Sequence, residues 1–180
     1  NALSAIDENR IGESMCNYQA ILLATTVAAL AACQPHVKPP TPPIDPPTVE
    51  HINLTSDTLF EFNRADSSDL TPSGRTQLNQ VAETLTKRYM QLESIELIGH
   101  TDRLGRADYN YNLGMQRAKT VYDYLVERGV PAEVISYKSA GENDPVTQGC
   151  PEVTPRAQLI QCLQPDRRVS IHVRGIKKAL

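Results

Sequence analysis

The chain has 180 residues, 18 Lys plus Arg against 21 Asp plus Glu, and a formal net charge of −3. That length suits one domain with appendages, and 40% apolar residues suffice for a packed core, which excludes a wholly disordered chain. The near-neutral balance lacks the basic footprint of a nucleic-acid binder, and 5% aromatic residues without Trp offer no base-stacking platform.

Residues 1–32 are expected to be an upstream segment and a leader, with Met15 as the start of the leader. Ala20 to Ala32 (AILLATTVAALAA) is a run of thirteen uncharged residues. As a helix it spans roughly 20 Å, short of the ~30 Å hydrocarbon core, and so reads as the apolar stretch of a signal peptide. Leu30-Ala31-Ala32-Cys33 resembles a bacterial lipobox, in which the Cys is acylated and the preceding peptide removed. The competing reading is a buried helix ending in an ordinary Cys. From Met15 the leader lacks the usual Lys or Arg, whereas Gln34 after the Cys resembles lipoproteins sent to the outer membrane.

Residues 33–53 are expected to be the lipidated Cys33 and a linker. Seven of the thirteen prolines fall between Pro35 and Pro47. Proline fixes φ and has no N–H, so this stretch is expected to be an extended spacer. The seventeen residues Gln34 to Glu50 would reach about 50 Å. A docking site for a Pro-recognising domain is the alternative use.

Residues 54–176 carry the pattern of a folded domain, with 177–180 as a tail. Thr58 to Phe62 alternates and predicts a strand. Thr71-Pro72 marks a helix start, and Leu78, Val81, Leu85 and Tyr89 recur at helical spacing. Ser94 to His100 predicts a second strand, and a loop from Thr101 to Ala107 leads into a helix ending at Arg128. Its core stripe is expected to be Ala118, Val121, Tyr122, Leu125 and Val126, with Gly129 as its stop. Ile135 to Ala140 and Arg168 to Arg174 predict two more strands. Strands alternating with helices indicate a sheet covered by helices, α/β or α+β.

Cys150 and Cys162 bracket an eleven-residue loop. Neither has a CxxC partner or a His at metal-ligand spacing, so no metal is expected. A disulfide closing this loop would stabilise by about 3 kcal/mol in the chain-entropy account. Two unpaired thiols are the alternative, disfavoured if the chain is exported. His100 beside Asp102 is expected to pack as a strand residue. No nucleophile motif is present, so no catalytic residue is expected.

Gly99-His100-Thr101-Asp102-Arg103-Leu104-Gly105, followed by Tyr109-Asn110, Leu113-Gly114 and Arg117-Ala118, resembles the signature of OmpA-like peptidoglycan-binding domains. Leu59 to Asn63, Gly141 to Pro145 and Asp166 to Val169 match further motifs in the family's order. The Cys150 to Cys162 segment is similar to OmpA-type members, and the lipobox with its linker to peptidoglycan-associated lipoproteins. The resemblance implies an α+β fold, a βαβαβ core with an added strand, its helices packed on a mixed four-stranded sheet. It also implies non-covalent binding of the peptidoglycan stem peptide at diaminopimelate, whose free end carries an ammonium and a carboxylate. Such a zwitterion needs one anionic acceptor and one planar cationic donor.

By that resemblance Asp102 accepts from the ammonium and Arg117 grips the carboxylate. Asn110, Asn63 and Arg167 are carried over as further ligand contacts, with either Arg167 or Arg168 able to face the site. From spacing alone, Asp102 and Arg117 would instead read as a surface ion pair worth about 0–1 kcal/mol. The implied whole is an outer-membrane lipoprotein, its domain in the periplasm, tethering membrane to wall without enzymatic activity or cofactor. An assembly scaffold docking a porin or another envelope complex is the alternative, and a wall hydrolase a third.

Overall fold

The computed structural model describes residues 46–150 and 155–178. The expected leader, the lipobox at Cys33 and most of the Pro-rich linker lie outside these residues. The described chain runs β1 (Thr48–Thr55), a single helical turn α1 (Ser56–Leu59), α2 (Pro72–Arg88) and β2 (Tyr89–His100). It continues through α3 (Ala107–Glu127), β3 (Ile135–Gly141), α4 (Arg156–Cys162) and β4 (Arg168–Lys177). The strands form one mixed sheet in the order β1-β4-β2-β3. β2 and β3 are parallel and joined through α3, while β4 inserts antiparallel to both β1 and β2. This is the α+β arrangement, helices on a mixed four-stranded sheet, that the family resemblance implied.

Helices α2 and α3 supply the layer that buries one sheet face. Leu78, Val81 and Leu85 of α2 meet Ile95 and Leu97 of β2, Val169, Ile171 and Val173 of β4, and Ala118, Val121 and Leu125 of α3 in one core. Thr71 starts α2 as the sequence suggests: its Oγ1 accepts the N–H of Gly74 at 2.9 Å, with Pro72 at the first helical position. Tyr122 and Val126 of the expected α3 stripe are only partly buried. Tyr124 is buried in their place, its hydroxyl 3.0 Å from Asn79 Oδ1, which satisfies the polar tip.

The first strand is a correction. Thr58 to Phe62 is not a strand: the chain turns once through α1, and Phe60 makes only an isolated bridge to Leu70. Leu59 and Phe60 are both buried, at 0% and 1% exposure, while Phe62 is 86% exposed. A two-residue repeat cannot bury two consecutive side chains on one side, so the backbone has to turn there. The edge strand is β1 instead, and the sheet begins at Thr48, inside the segment assigned to the linker. Edge position leaves half of β1 exposed, so its apolar alternation is short and the preceding prolines mask it.

Helix α3 lies directly on β2 and β3. A methyl group placed on Gly99 would fall 1.9 Å from the Gly114 carbonyl oxygen, and one on Gly114 would fall 2.4 Å from Ser139 Oγ. Both glycines are therefore required by backbone contact. Cys150 and Cys162 form a disulfide, and around it Leu159 and Leu163 make a small second core against Leu104. Helix α4, which begins the turn toward β4, was not foreseen inside this segment.

His100 ends β2 at 2% exposure, packed as a strand residue. Asp144 Oδ2 stands 3.4 Å from its Nδ1, yet neither ring nitrogen makes a hydrogen bond among the described residues. Burial, aided by the Arg168 charge, pushes its pKa down to about 4.

Two predictions follow from packing and burial. Gly99→Ala should lower stability by about 3 kcal/mol or prevent folding, because backbone blocks the methyl. Gly129→Ala, at φ +88 with nothing within 4 Å, should cost only about 1 kcal/mol of backbone strain. Urea unfolding of both variants checks the ranking. For His100, the folded pKa lies below the unfolded value, so the unfolded chain binds the extra proton between them. Stability should accordingly fall as pH drops from about 6.5 to about 4, by up to about 3 kcal/mol from this group. The difference between wild type and His100→Gln across that range isolates the contribution.

Candidate functional site

A cleft of ≈ 200 Å³ opens where β2 ends, between α1, the first half of α3 and α4. Its floor is set by the loop from Thr101 to Arg106, which begins as β2 leaves the sheet. Asp102 lies there at 8% exposure. Its Oδ1 accepts the Leu104 N–H at 2.9 Å, an arrangement that folds the loop back on itself. Its Oδ2 accepts from Arg167 Nη1 at 2.7 Å.

Arg167 is the junction of the site. Its Nε and Nη2 donate to Asp57 Oδ1 and Oδ2 at 2.9 and 2.7 Å, a two-pronged match of guanidinium to carboxylate. A further bond from Nη1 reaches the Ile160 carbonyl of α4 at 3.1 Å. The Asp57 hydrogen bond raises its pKa above the ordinary arginine value, against a smaller opposing effect of burial. Arg168, its neighbour, bonds the carbonyl and carboxylate of Asp144 and does not line the cleft. Strand alternation separates the two, so of this pair Arg167 is the one that faces the site.

Arg117 reaches the cleft from α3. It is 4% exposed, its Nε donates to the Arg64 carbonyl at 3.0 Å, and its guanidinium lies 5.7 Å from the Phe60 ring centroid. Nη1 is buried with no hydrogen-bond partner among the described residues. Burial pushes its pKa down from the ordinary value, and Asp57 is the largest influence opposing that. The ion pair between Asp102 and Arg117 that bare spacing suggested does not form. Asp102 is bonded to Arg167 instead, and Arg117 stands apart on another wall of the same cleft.

Asn110 and Gly114 share the buried stripe of α3 with Arg117. Asn110 Nδ2 donates to the Asp102 carbonyl at 3.2 Å and to Glu142 Oε2 at 2.6 Å. The expected ligand contact is thus largely occupied by holding the loop against the turn after β3. Asn63, at φ +60, stands on the rim, its Oδ1 accepting from the Tyr109 hydroxyl at 2.8 Å. All five residues expected to bind a ligand line this one cleft: Asn63, Asp102, Asn110, Arg117 and Arg167.

Sequence reasoning missed Asp57, Phe62, Leu104, Tyr109, Arg156 and Ile160, which also line it. Asp57 is 110 positions from its partner Arg167, so no local pattern could pair them. Tyr109 and Leu104 stood inside the quoted motifs, and their positions beside Asn110 and Asp102 were the available signal. No group of three metal-ligating side chains exists among the described residues.

Residues 60–158 match the OmpA family. Outer membrane protein A of Escherichia coli O157:H7 is 45% identical over 129 residues, 71% of this chain and 36% of that protein. That of Salmonella typhi is 44% identical over the same length and shares. The chain spans about a third of the length of these relatives. Among solved structures, the periplasmic domain of Helicobacter pylori MotB is similar at a TM-score of 0.54 and 23% identity, covering 74% of this chain and 79% of that one. The cell wall anchor of the T6SS from Pseudomonas aeruginosa is similar at 0.56 and 21%, covering 71% and 82%. At these identities the two structures establish likeness of fold, while the match over residues 60–158 decides the family. The chain belongs to the OmpA family.

Proposed function

We propose that the domain binds peptidoglycan without cleaving it, gripping the free end of a diaminopimelate side chain. The observation that carries this is Arg117: a buried guanidinium lining a cleft, with Nη1 unpaired among the described residues and burial opposing its charge. A charge held out of water at such a cost is relieved by a carboxylate with which it can share two hydrogen bonds. Asp102 supplies the complement. A carboxylate has about four acceptor positions, and the Leu104 N–H and Arg167 occupy two, which leaves acceptors for an ammonium. Asp102 and Arg117 line one cleft, so an ammonium and a carboxylate on a single carbon would be read by two charges of fixed separation.

Neither acid–base pair nor nucleophile is assigned here. Glu142 is tied to Asn110 and does not line the cleft, so it offers Asp102 no second carboxylate for glycoside cleavage. The protein is accordingly read as a tether. Acylated Cys33 would insert in the outer membrane, the Pro-rich segment would span the gap, and the periplasmic domain would hold the wall. Many weak grips on a polymeric wall add up through avidity. The name shared by the relatives, outer membrane protein A, supports the envelope location.

Retention on purified sacculi tests the site. Asp102→Ala and Arg117→Lys should each lower retention at least about tenfold, since a buried charge loses its partner or its fork. Both variants should keep the wild-type circular dichroism spectrum, and the wild type should release no soluble wall fragments. Equal retention of all three proteins would refute the site. For the tether, mass spectrometry of the protein extracted from membranes should show an acylated N-terminal Cys33; an unmodified Cys33 inside a longer chain would refute it.

A further inference from the structure

We infer that Arg156 is a second carboxylate-binding residue of the cleft, so that the ligand is a peptide bearing one ammonium and two carboxylates. The inference rests on the peptidoglycan reading above and deepens it. Among the described residues, five charged side chains line the cleft: Asp57, Asp102, Arg117, Arg156 and Arg167. Arg167 bonds both aspartates, which leaves that trio with a single negative charge. Arg117 and Arg156 add two positive charges, so the cleft as a whole carries one in excess. A plain zwitterion has no net charge and leaves that excess unbalanced. A ligand with one further carboxylate balances it.

The two arginines lie at different depths. Arg117 is buried, while Arg156 is exposed on the rim, so each is suited to a carboxylate of its own. Arg156 is the first residue of α4, and Ile160 follows one helical turn later on the same face. Both line the cleft, which sets an apolar wall beside the rim charge.

Helix α4 is also held firmly relative to the deep site. Cys162 at its end is bonded to Cys150, and Leu159 and Leu163 are buried against Leu104. Leu104 is the residue whose N–H holds Asp102. The Cys150 carbonyl accepts from Arg103 Nη2 at 2.7 Å, on the same loop, and the Ile160 carbonyl accepts from Arg167. The disulfide-held segment and the ligand-binding loop thus form one packed unit, which fixes the backbone that carries Arg156.

A stem peptide offers two sources for the further carboxylate. One is the α-carboxylate of a γ-linked glutamate, and the other is the main-chain carboxylate of a terminal diaminopimelate. Calorimetric titration of three disaccharide tripeptides separates them: both acids free, the glutamate amidated, or the diaminopimelate main-chain carboxyl amidated. Wild type should bind the free acid about threefold to tenfold more tightly than one of the two amides, and that amide identifies the group read. Arg156→Gln should weaken the free acid to the level of that amide and leave the amide itself unchanged. Salt near 1 M, which shortens screening to about 3 Å, should close the gap in wild type. Asp102→Ala should weaken all three peptides. Equal wild-type affinity for all three, or an equal loss for all three in Arg156→Gln, would overturn the inference alone. Wild-type binding to none of them would overturn the peptidoglycan reading and this inference with it.

Discussion

The site depends on one guanidinium. Arg167, just before β4, bonds Asp57 of α1, Asp102 of the loop after β2 and the Ile160 carbonyl of α4. Three segments far apart in sequence are thereby fixed around a single planar fork. Arg167 is mostly buried, where an ion pair adds little net stability because desolvation offsets attraction. What such a pair does contribute is geometry. Each donor has one direction, so the aspartates and α4 can satisfy it only in one arrangement.

The sheet makes that arrangement possible. β4 lies between β1 and β2, and Arg167 enters it beside the ends of both neighbours. The backbone contact between Gly99 and Gly114 then brings α3 down onto β2, which is why Asn110 reaches the loop and Arg117 the cleft. A larger side chain at either glycine would lift the helix and withdraw both. The small core around the disulfide completes the wall by packing Leu104 from outside. Overall stability and site geometry therefore share the same contacts, and few of the cleft's residues act on a ligand alone.

Charge in the cleft is unevenly balanced by design of the packing. Asp102 has its own cation in Arg167, whereas Arg117 has, among the described residues, only a backbone carbonyl and an aromatic face. The acid is thus held in place with acceptor capacity left over, and the base is held with a donor left over. Under the proposed function, an incoming zwitterion would complete both sets at once. This asymmetry explains why the two residues avoid pairing with one another, although their charges would allow it.

Much was legible in the residues themselves. The cap at Thr71, the α3 stripe through Ala118, Val121 and Leu125, and the alternation of Val169, Ile171 and Val173 are local patterns, and local patterns encode local structure. The motif around Asp102 named the loop, and the five expected ligand contacts do meet in one cleft. What remained hidden was contact between distant positions. An edge strand that sets Ile52 and Leu54 against the core and leaves its other face largely exposed shows a short periodic trace, so β1 was read as linker. Asp57, Arg156 and the choice of Arg167 over Arg168 depend on which side chains converge once β4 is inserted. Sequence alone determined α2, α3, β2, β3 and β4 and the family's signature; tertiary structure decided β1, α4 and the partners, because edge pairing and charge pairing depend on distance in space and not on separation along the chain.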